Sequence, residues 1–116
     1  MSSSQMLKGI LEGCILAIIS EKEVYGYEMT EILAKYGLNM VSEGSIYPIL
    51  LKLQKQDHVT SEMRISKAGP KRKYYQITEK GREHLHGFYK EWITLSGSVN
   101  QLMSQIYIGD EDNESK

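Results

Sequence analysis

A mainly α fold with a small β-hairpin is what this sequence predicts, and three observations carry the prediction. Residues 42–53 read Ser-Glu-Gly-Ser-Ile-Tyr-Pro-Ile-Leu-Leu-Lys-Leu, an amphipathic helix whose outward side is small or cationic. Two short segments of strand character follow at once, and the second carries Lys71, Arg72 and Lys73 at its start. A long run after Thr78 then repeats apolar residues at alternating three- and four-residue steps. In this order the elements describe a winged helix-turn-helix followed by a long C-terminal dimerisation helix.

The first helix is expected over Met6 to Ile19, with Leu7, Ile10, Leu11, Cys14 and Ile18 recurring on one face. Leu16 and Ile19 fall outside that face, so the helix needs a second cover, and another subunit supplies one. The second helix begins near Tyr25-Gly26-Tyr27 and runs to about Tyr36, with Met29, Ile32 and Leu33 inward. Gly37 is suited to end it, because glycine takes the left-handed conformation without a Cβ clash.

Ser42 is the expected N-cap of the third helix, with Ile46, Ile49, Leu50 and Leu53 as its buried stripe. Pro48 leaves two placements open. If Ser42 caps the helix, Pro48 removes an interior hydrogen bond; if the regular helix starts near Ser45, Pro48 lies in the first turn. Strands are expected at Val59–Ile65 and Arg72–Ile77, joined through Ser66-Lys67-Ala68-Gly69-Pro70. Thr78 caps the last helix, which is expected to reach about Ile108. Its apolar positions Leu85, Phe88, Trp92, Leu95, Val99, Leu102 and Ile106 make an a/d heptad. The domain reading is therefore a winged unit over residues 1–80 with the first helix also serving the dimer, a dimerisation helix over 81–108, and an acidic flexible tail over 109–116.

Composition narrows the function. At 116 residues the chain is one domain with a modest core that a partner subunit would help to cover. The longest apolar run, Cys14 to Ile19, is far too short to span a bilayer, and no secretory signal precedes it. The single cysteine, Cys14, excludes an internal disulfide and fits a cytoplasmic protein with a buried structural thiol. Net charge is −1, yet charge is segregated. Lys52, Lys55, Arg64, Lys67, Lys71, Arg72, Lys73 and Lys80 face only Asp57, Glu62 and Glu79 in the middle of the chain, between acidic ends. Such a basic middle attracts nucleic acid locally.

No cofactor, metal site or catalytic centre is expected. His58, His84 and His86 are scattered, and the last two point to different faces of one helix. Carboxylates are not paired beside a nucleophile, and Ser42-Glu-Gly-Ser lacks the Gly-Lys that a P-loop needs.

The partner expected is double-stranded DNA. Gly44, Ser45, Pro48 and Lys52 lie opposite the buried stripe of the third helix, and Ser42 stands at its start. Ser45 can bond a phosphate or a base edge, and Tyr47 at the flank can pack its ring and turn its hydroxyl to a phosphate. Lys71, Arg72 and Lys73 would grip the flanking backbone, although they alternate in direction along the strand. Helix face and wing serve equally in a competing reading, a winged-helix protein-interaction module that never touches DNA. The second expected partner is another copy of the chain, through Leu16, Ile19, Leu85, Phe88, Trp92, Leu95, Val99, Leu102 and Ile106. Across a two-fold axis Trp92, with Tyr89 and Phe88 one turn earlier, either packs the seam or sandwiches a small planar aromatic effector with its mate.

These residues resemble a known signature. Tyr25-Gly26-Tyr27-Glu28, then Ser42-Glu-Gly-Ser-Ile-Tyr-Pro-Ile-Leu with Leu53, then Arg72-Lys-Tyr-Tyr with Ile77-Thr-Glu-Lys-Gly81 are similar to the motifs of PadR-type transcriptional regulators. The similarity runs from the first helix to Trp92, and a single C-terminal helix resembles the short subfamily. It implies a dimeric winged-helix repressor, with Tyr25 among the residues at the DNA face. Some short members bind planar multidrug compounds between paired tryptophans, and Trp92 matches that position. Gly9, Gly13 and Ala17 depart from the larger or polar groups such a pocket would use.

Overall fold

Residues 3–65 and 69–114 are described by a computed structural model, with side chains over 6–65 and 69–107. In chain order the elements are α1 (Ser3–Lys8), α2 (Leu11–Glu21), β1 (Val24–Tyr25), α3 (Gly26–Lys35), α4 (Glu43–Lys55), β2 (Val59–Ile65), β3 (Lys71–Ile77) and α5 (Glu79–Glu114). They fall into two compact units, Met1–Leu85 and His86–Lys116.

The expected first helix is two helices. Gly9 and Ile10 form a turn in which the Ile10 N–H bonds the Leu7 carbonyl at 2.9 Å, and regular helix resumes at Leu11. Glycine costs a helix interior about 1 kcal/mol relative to alanine, so the break falls where continuing is least favoured. It also resets the buried face to Leu11, Ile15, Leu16 and Ile19. Leu16 and Ile19 are 0% and 2% exposed in the single chain. Their expected place at a subunit interface is corrected: they are core residues, covered by the chain's own helices and sheet.

That core joins α2 to Met29 and Leu33 of α3, Ile46, Leu50 and Leu53 of α4, and Val24, Val59 and Tyr75 of the sheet. α3 ends as expected. Gly37 has φ 85°, its N–H bonds the Ala34 carbonyl, and the Leu38 N–H reaches back to the Leu33 carbonyl at 2.9 Å. Those two bonds are the Schellman arrangement, which satisfies carbonyls that a helix end otherwise leaves orphaned. α4 starts at the earlier of its two expected positions, with Ser42 as N-cap residue and Pro48 inside the helix. Pro48 lacks an N–H, so the Gly44 carbonyl has no helical donor from it. The Ser42 hydroxyl makes no capping bond; it lies 3.4 Å from the Ser45 hydroxyl instead.

A third strand joins the hairpin. β1 pairs antiparallel with β3 (Val24 with Tyr75, Tyr25 with Tyr74), and β2 pairs with the other edge of β3 from Val59–Ile77 to Ile65–Lys71. The sheet order is β1-β3-β2. Of the expected hairpin connection, residues 66–68 lie outside the described residues.

Thr78 caps α5 as expected and does more. Its Oγ1 accepts from the Gly81 N–H at 2.9 Å and donates to the Asp57 carbonyl at 2.6 Å, while its N–H bonds the His58 carbonyl at 3.0 Å. The root of α5 is thereby fastened to the turn after α4. The approach is close enough that a Cβ at Gly81 would lie 2.1 Å from the His58 oxygen. α5 continues to Glu114, through residues expected to form a flexible tail. No described helix is long and apolar enough to cross a membrane.

Candidate nucleic-acid interface

The face that can meet a nucleic acid is assembled from α4, the start of α3 and the three-stranded wing. Burial of Ile46, Leu50 and Leu53 turns Gly44, Pro48, Leu51 and Lys55 outward, all exposed. Tyr47 stands on the flank of α4 nearest the wing. There a groove of about 560 Å³ is lined by Tyr25, Gly26, Tyr27, Tyr47, Met63, Lys71, Arg72, Lys73 and Tyr75. Gly26 is what lets Tyr47 in, since a Cβ there would lie 2.7 Å from the phenol ring.

β3 deals its cations to two faces, as alternation requires. Lys71 and Lys73 share a face with the buried Tyr75, and the Lys73 ammonium stands 5.8 Å from the Tyr75 ring centre. On the other face Arg72 lies 4.4 Å over the Tyr25 ring, Tyr25 meets Tyr74 edge-on at 5.4 Å, and Arg64 lies 5.3 Å over Tyr74. Stacking on aromatic rings fixes a guanidinium plane while leaving its N–H groups free to bond.

The cations differ in availability. Arg64 is engaged by Glu23 and, at 3.0 Å, by Glu62, while Gln76 also donates to Glu23. The hydrogen bond from Arg64 holds the Glu23 carboxyl below the usual carboxylate range. Lys71, Arg72 and Lys73 have no carboxylate within ion-pair distance among the described residues. Burial, reinforced by the neighbouring Tyr47, pushes the Tyr75 phenol up, so it stays a neutral donor.

The expected contact residues therefore separate. Tyr25, Tyr47, Lys71, Arg72 and Lys73 come together around one groove, and Gly44 and Pro48 share the outward side of α4. Ser45 and Lys52 lie on the other flank. Ser45 lines a groove with Leu7, Lys8, Leu11, Met40, Val41 and Ile49. Lys52 is held by Glu12 of α2 at 3.0 Å, which departs from its expected position opposite the core. Leu51, Tyr27 and Met63 join the site unforeseen; outward position on α4 was legible for Leu51 alone.

Cys14 is half-buried between α2 and α3, where burial raises its thiol pKa. A raised pKa keeps it protonated and unreactive. Two histidines expected to be scattered in fact meet. His58 and His84 stack with ring centres 4.2 Å apart and planes 17° from parallel. Burial, then the neighbouring His84, pulls the His58 pKa down.

In the second unit Tyr89, Leu95, Val99, Leu102 and Ile106 are exposed, Trp92 is 40% exposed, and Phe88 is half-buried. Leu85 belongs to the first unit, where it packs half-buried against the core.

A helix-turn-helix with a three-stranded wing and a bare cationic strand defines the winged-helix class of transcriptional regulators. Residues 15–87 match the Transcriptional regulator PadR-like family, and the chain belongs to that family. Among solved structures it is similar to a PadR-like transcriptional regulator from Bacillus cereus, with 56% identity, coverage of 85% of this chain and 96% of that one, and a TM-score of 0.78. A Streptococcus transcriptional regulator matches at 41% identity over 85% and 97% of the two chains, with a TM-score of 0.76. An uncharacterized protein of Lysinibacillus sphaericus is 30% identical over 108 residues, 91% of this chain and 99% of that one. The protein is a transcriptional regulator and not an enzyme.

Proposed function

We propose that the chain is a homodimeric repressor that binds a two-fold DNA operator through α4 and the wing. The observation that carries this reading is the groove that Tyr47 of α4 lines together with Lys71, Arg72 and Lys73, cations with no carboxylate partner among the described residues. A small-residue helix face at Gly44 and Pro48 allows close approach to a groove floor, and wing cations bond phosphates on either side. Lys52 adds to the contact only by leaving Glu12. Repression, as distinct from binding, follows the family resemblance.

Dimerisation is supported by the exposed stripe Leu95, Val99, Leu102 and Ile106. Burying apolar surface is favourable by roughly 25 cal/mol per Å², so a heptad stripe of this kind pairs with a second copy. Two copies related by a two-fold axis place their α4 helices in successive major grooves, about 34 Å apart. Trp92 lies in the same stripe, and at a dimer axis the two rings can hold a planar aromatic ligand. Such a ligand releases DNA only if it favours a DNA-incompetent spacing of the wings.

Footprinting on DNA from around the protein's own gene tests the reading. A repressor protects a discrete palindromic site there. Absence of any site-selective protection at moderate salt would favour the protein-interaction module instead.

A further inference from the structure

We propose that Glu12, His58 and His84 form a binding site for a divalent late first-row metal ion, with Zn²⁺ the best fit to the donor set. This inference stands apart from DNA binding and survives its failure. The three residues come from α2, the turn before β2 and the second turn of α5, far apart in the chain. One ligand atom from each lies within 4.8 Å of the others. Glu12 Oε1 is 3.8 Å from His84 Nε2.

A second observation points the same way. His58 is only 7% exposed, and its Nδ1 is buried without a hydrogen-bond partner among the described residues. A buried polar atom left unpaired is costly, and an ion bound at that nitrogen would relieve the cost. Two imidazole nitrogens and a carboxylate oxygen are the donors of open three-ligand zinc sites, with water completing the shell. The same set also accepts Co²⁺, Ni²⁺ and Cu²⁺.

Geometry sets what must move. Donors on a tetrahedral Zn²⁺ with bonds of about 2.1 Å lie roughly 3.4 Å apart, so Glu12 and His84 at 3.8 Å need only a small approach, and no pair starts beyond 4.8 Å. A metal lies in the plane of each imidazole that binds it, so the stacked rings must part. His84 is the ring able to turn, with its side chain 46% exposed. Lys52 opposes the ion, since its ammonium holds the other oxygen of Glu12 at 3.0 Å. Occupancy would displace Lys52 from the carboxylate, and its side chain is 57% exposed and able to swing into solvent.

The test is Co²⁺ titration of the untagged full chain followed by visible absorption, with Zn²⁺ as competitor. The wild-type chain should bind one ion per subunit. Loss of a group merely hydrogen-bonded to a metal ligand costs about 10–100-fold in affinity, so His84→Ala and Glu12→Gln should each cost at least about 100-fold. His86→Ala should leave affinity unchanged, and Lys52→Ala should tighten binding. Thermal melting with Zn²⁺ should rise for wild type and not for His84→Ala, because binding to the native state alone stabilises it. No binding by the wild-type chain, unchanged affinity in His84→Ala, or equal loss in His86→Ala would overturn the proposal.

Discussion

Tyr47 of α4 rests against Gly26 at the start of α3, so closely that a Cβ at position 26 would lie 2.7 Å from the phenol oxygen. Two segments of the motif, Tyr25-Gly26-Tyr27 and Ser45-Ile46-Tyr47, are thus one piece of geometry. Glycine makes the seat, and the tyrosine occupying it borders the cationic wing. Gly26→Ala should therefore act on binding more than on stability, because the far end of a tyrosine can swing away. Losing one hydrogen bond to a charged phosphate is worth roughly 1.5–3 kcal/mol, so DNA affinity should fall by at least about tenfold. Fluorescence anisotropy with operator DNA measures this, and calorimetry should show a stability change under about 1 kcal/mol. A large loss of stability with unchanged affinity would mean that Tyr47 serves only packing.

Core and seam residues should separate cleanly. Leu16 is fully buried in the single chain, so Leu16→Ala should lower stability by about 2–5 kcal/mol and leave subunit association unchanged. Leu102 is exposed on α5, so Leu102→Glu should yield folded monomer by light scattering. Dimer persisting in Leu102→Glu would place the seam elsewhere.

Trp92 offers a direct readout as the single tryptophan. Planar cationic dyes should quench its fluorescence in a saturable way and weaken operator binding. Trp92→Ala should abolish that response while DNA affinity is retained. If no dye quenches, or if Trp92→Ala unfolds at the cost of about 3–5 kcal/mol typical of a core aromatic, the ring is packing alone.

Acid should loosen the wing through Glu23. Its carboxyl is held below the ordinary value of 4.5 by the hydrogen bond from Arg64. A depressed folded-state pKa stabilises the native state above the unfolded value, and the contribution is lost as pH falls through the folded one. Amide protection in β2 and β3, measured against the intrinsic exchange rate at each pH, should therefore fall below pH 4.5 in wild type. In Glu23→Gln the wing should exchange faster already at neutral pH, with less further change on acidification.

Local features were legible in the sequence, and distant ones were not. Gly37 and Thr78 mark helix ends because glycine conformation and a capping hydroxyl act within a few residues, whereas Ser42 stands at the start of α4 without a capping bond. The stripe of α5 shows in its heptad for the same reason. β1 leaves no mark in the sequence because two residues carry no alternation, and its partners Tyr74 and Tyr75 are remote along the chain. Leu16 and Ile19 fall off the apolar face of one straight helix from Met6, whereas the turn at Gly9–Ile10 starts a new axis on which both face the core. Lys52 has the spacing of an outward residue, and only the approach of Glu12 shows what it pairs with. Glu12, His58 and His84 lie on three elements, so no sequence spacing announces them.

Salt dependence of operator binding, compared between wild type and Lys71→Ala/Arg72→Ala/Lys73→Ala, measures the wing contact itself. Each phosphate neutralised contributes about −0.9 to the slope of log affinity against log salt, so six cations in a dimer, each on its own phosphate, should reduce its magnitude by about 5. Binding should also weaken alike on operator and unrelated DNA, because phosphates carry no sequence. An unchanged slope in the triple variant would contradict the assignment of this wing to the DNA backbone.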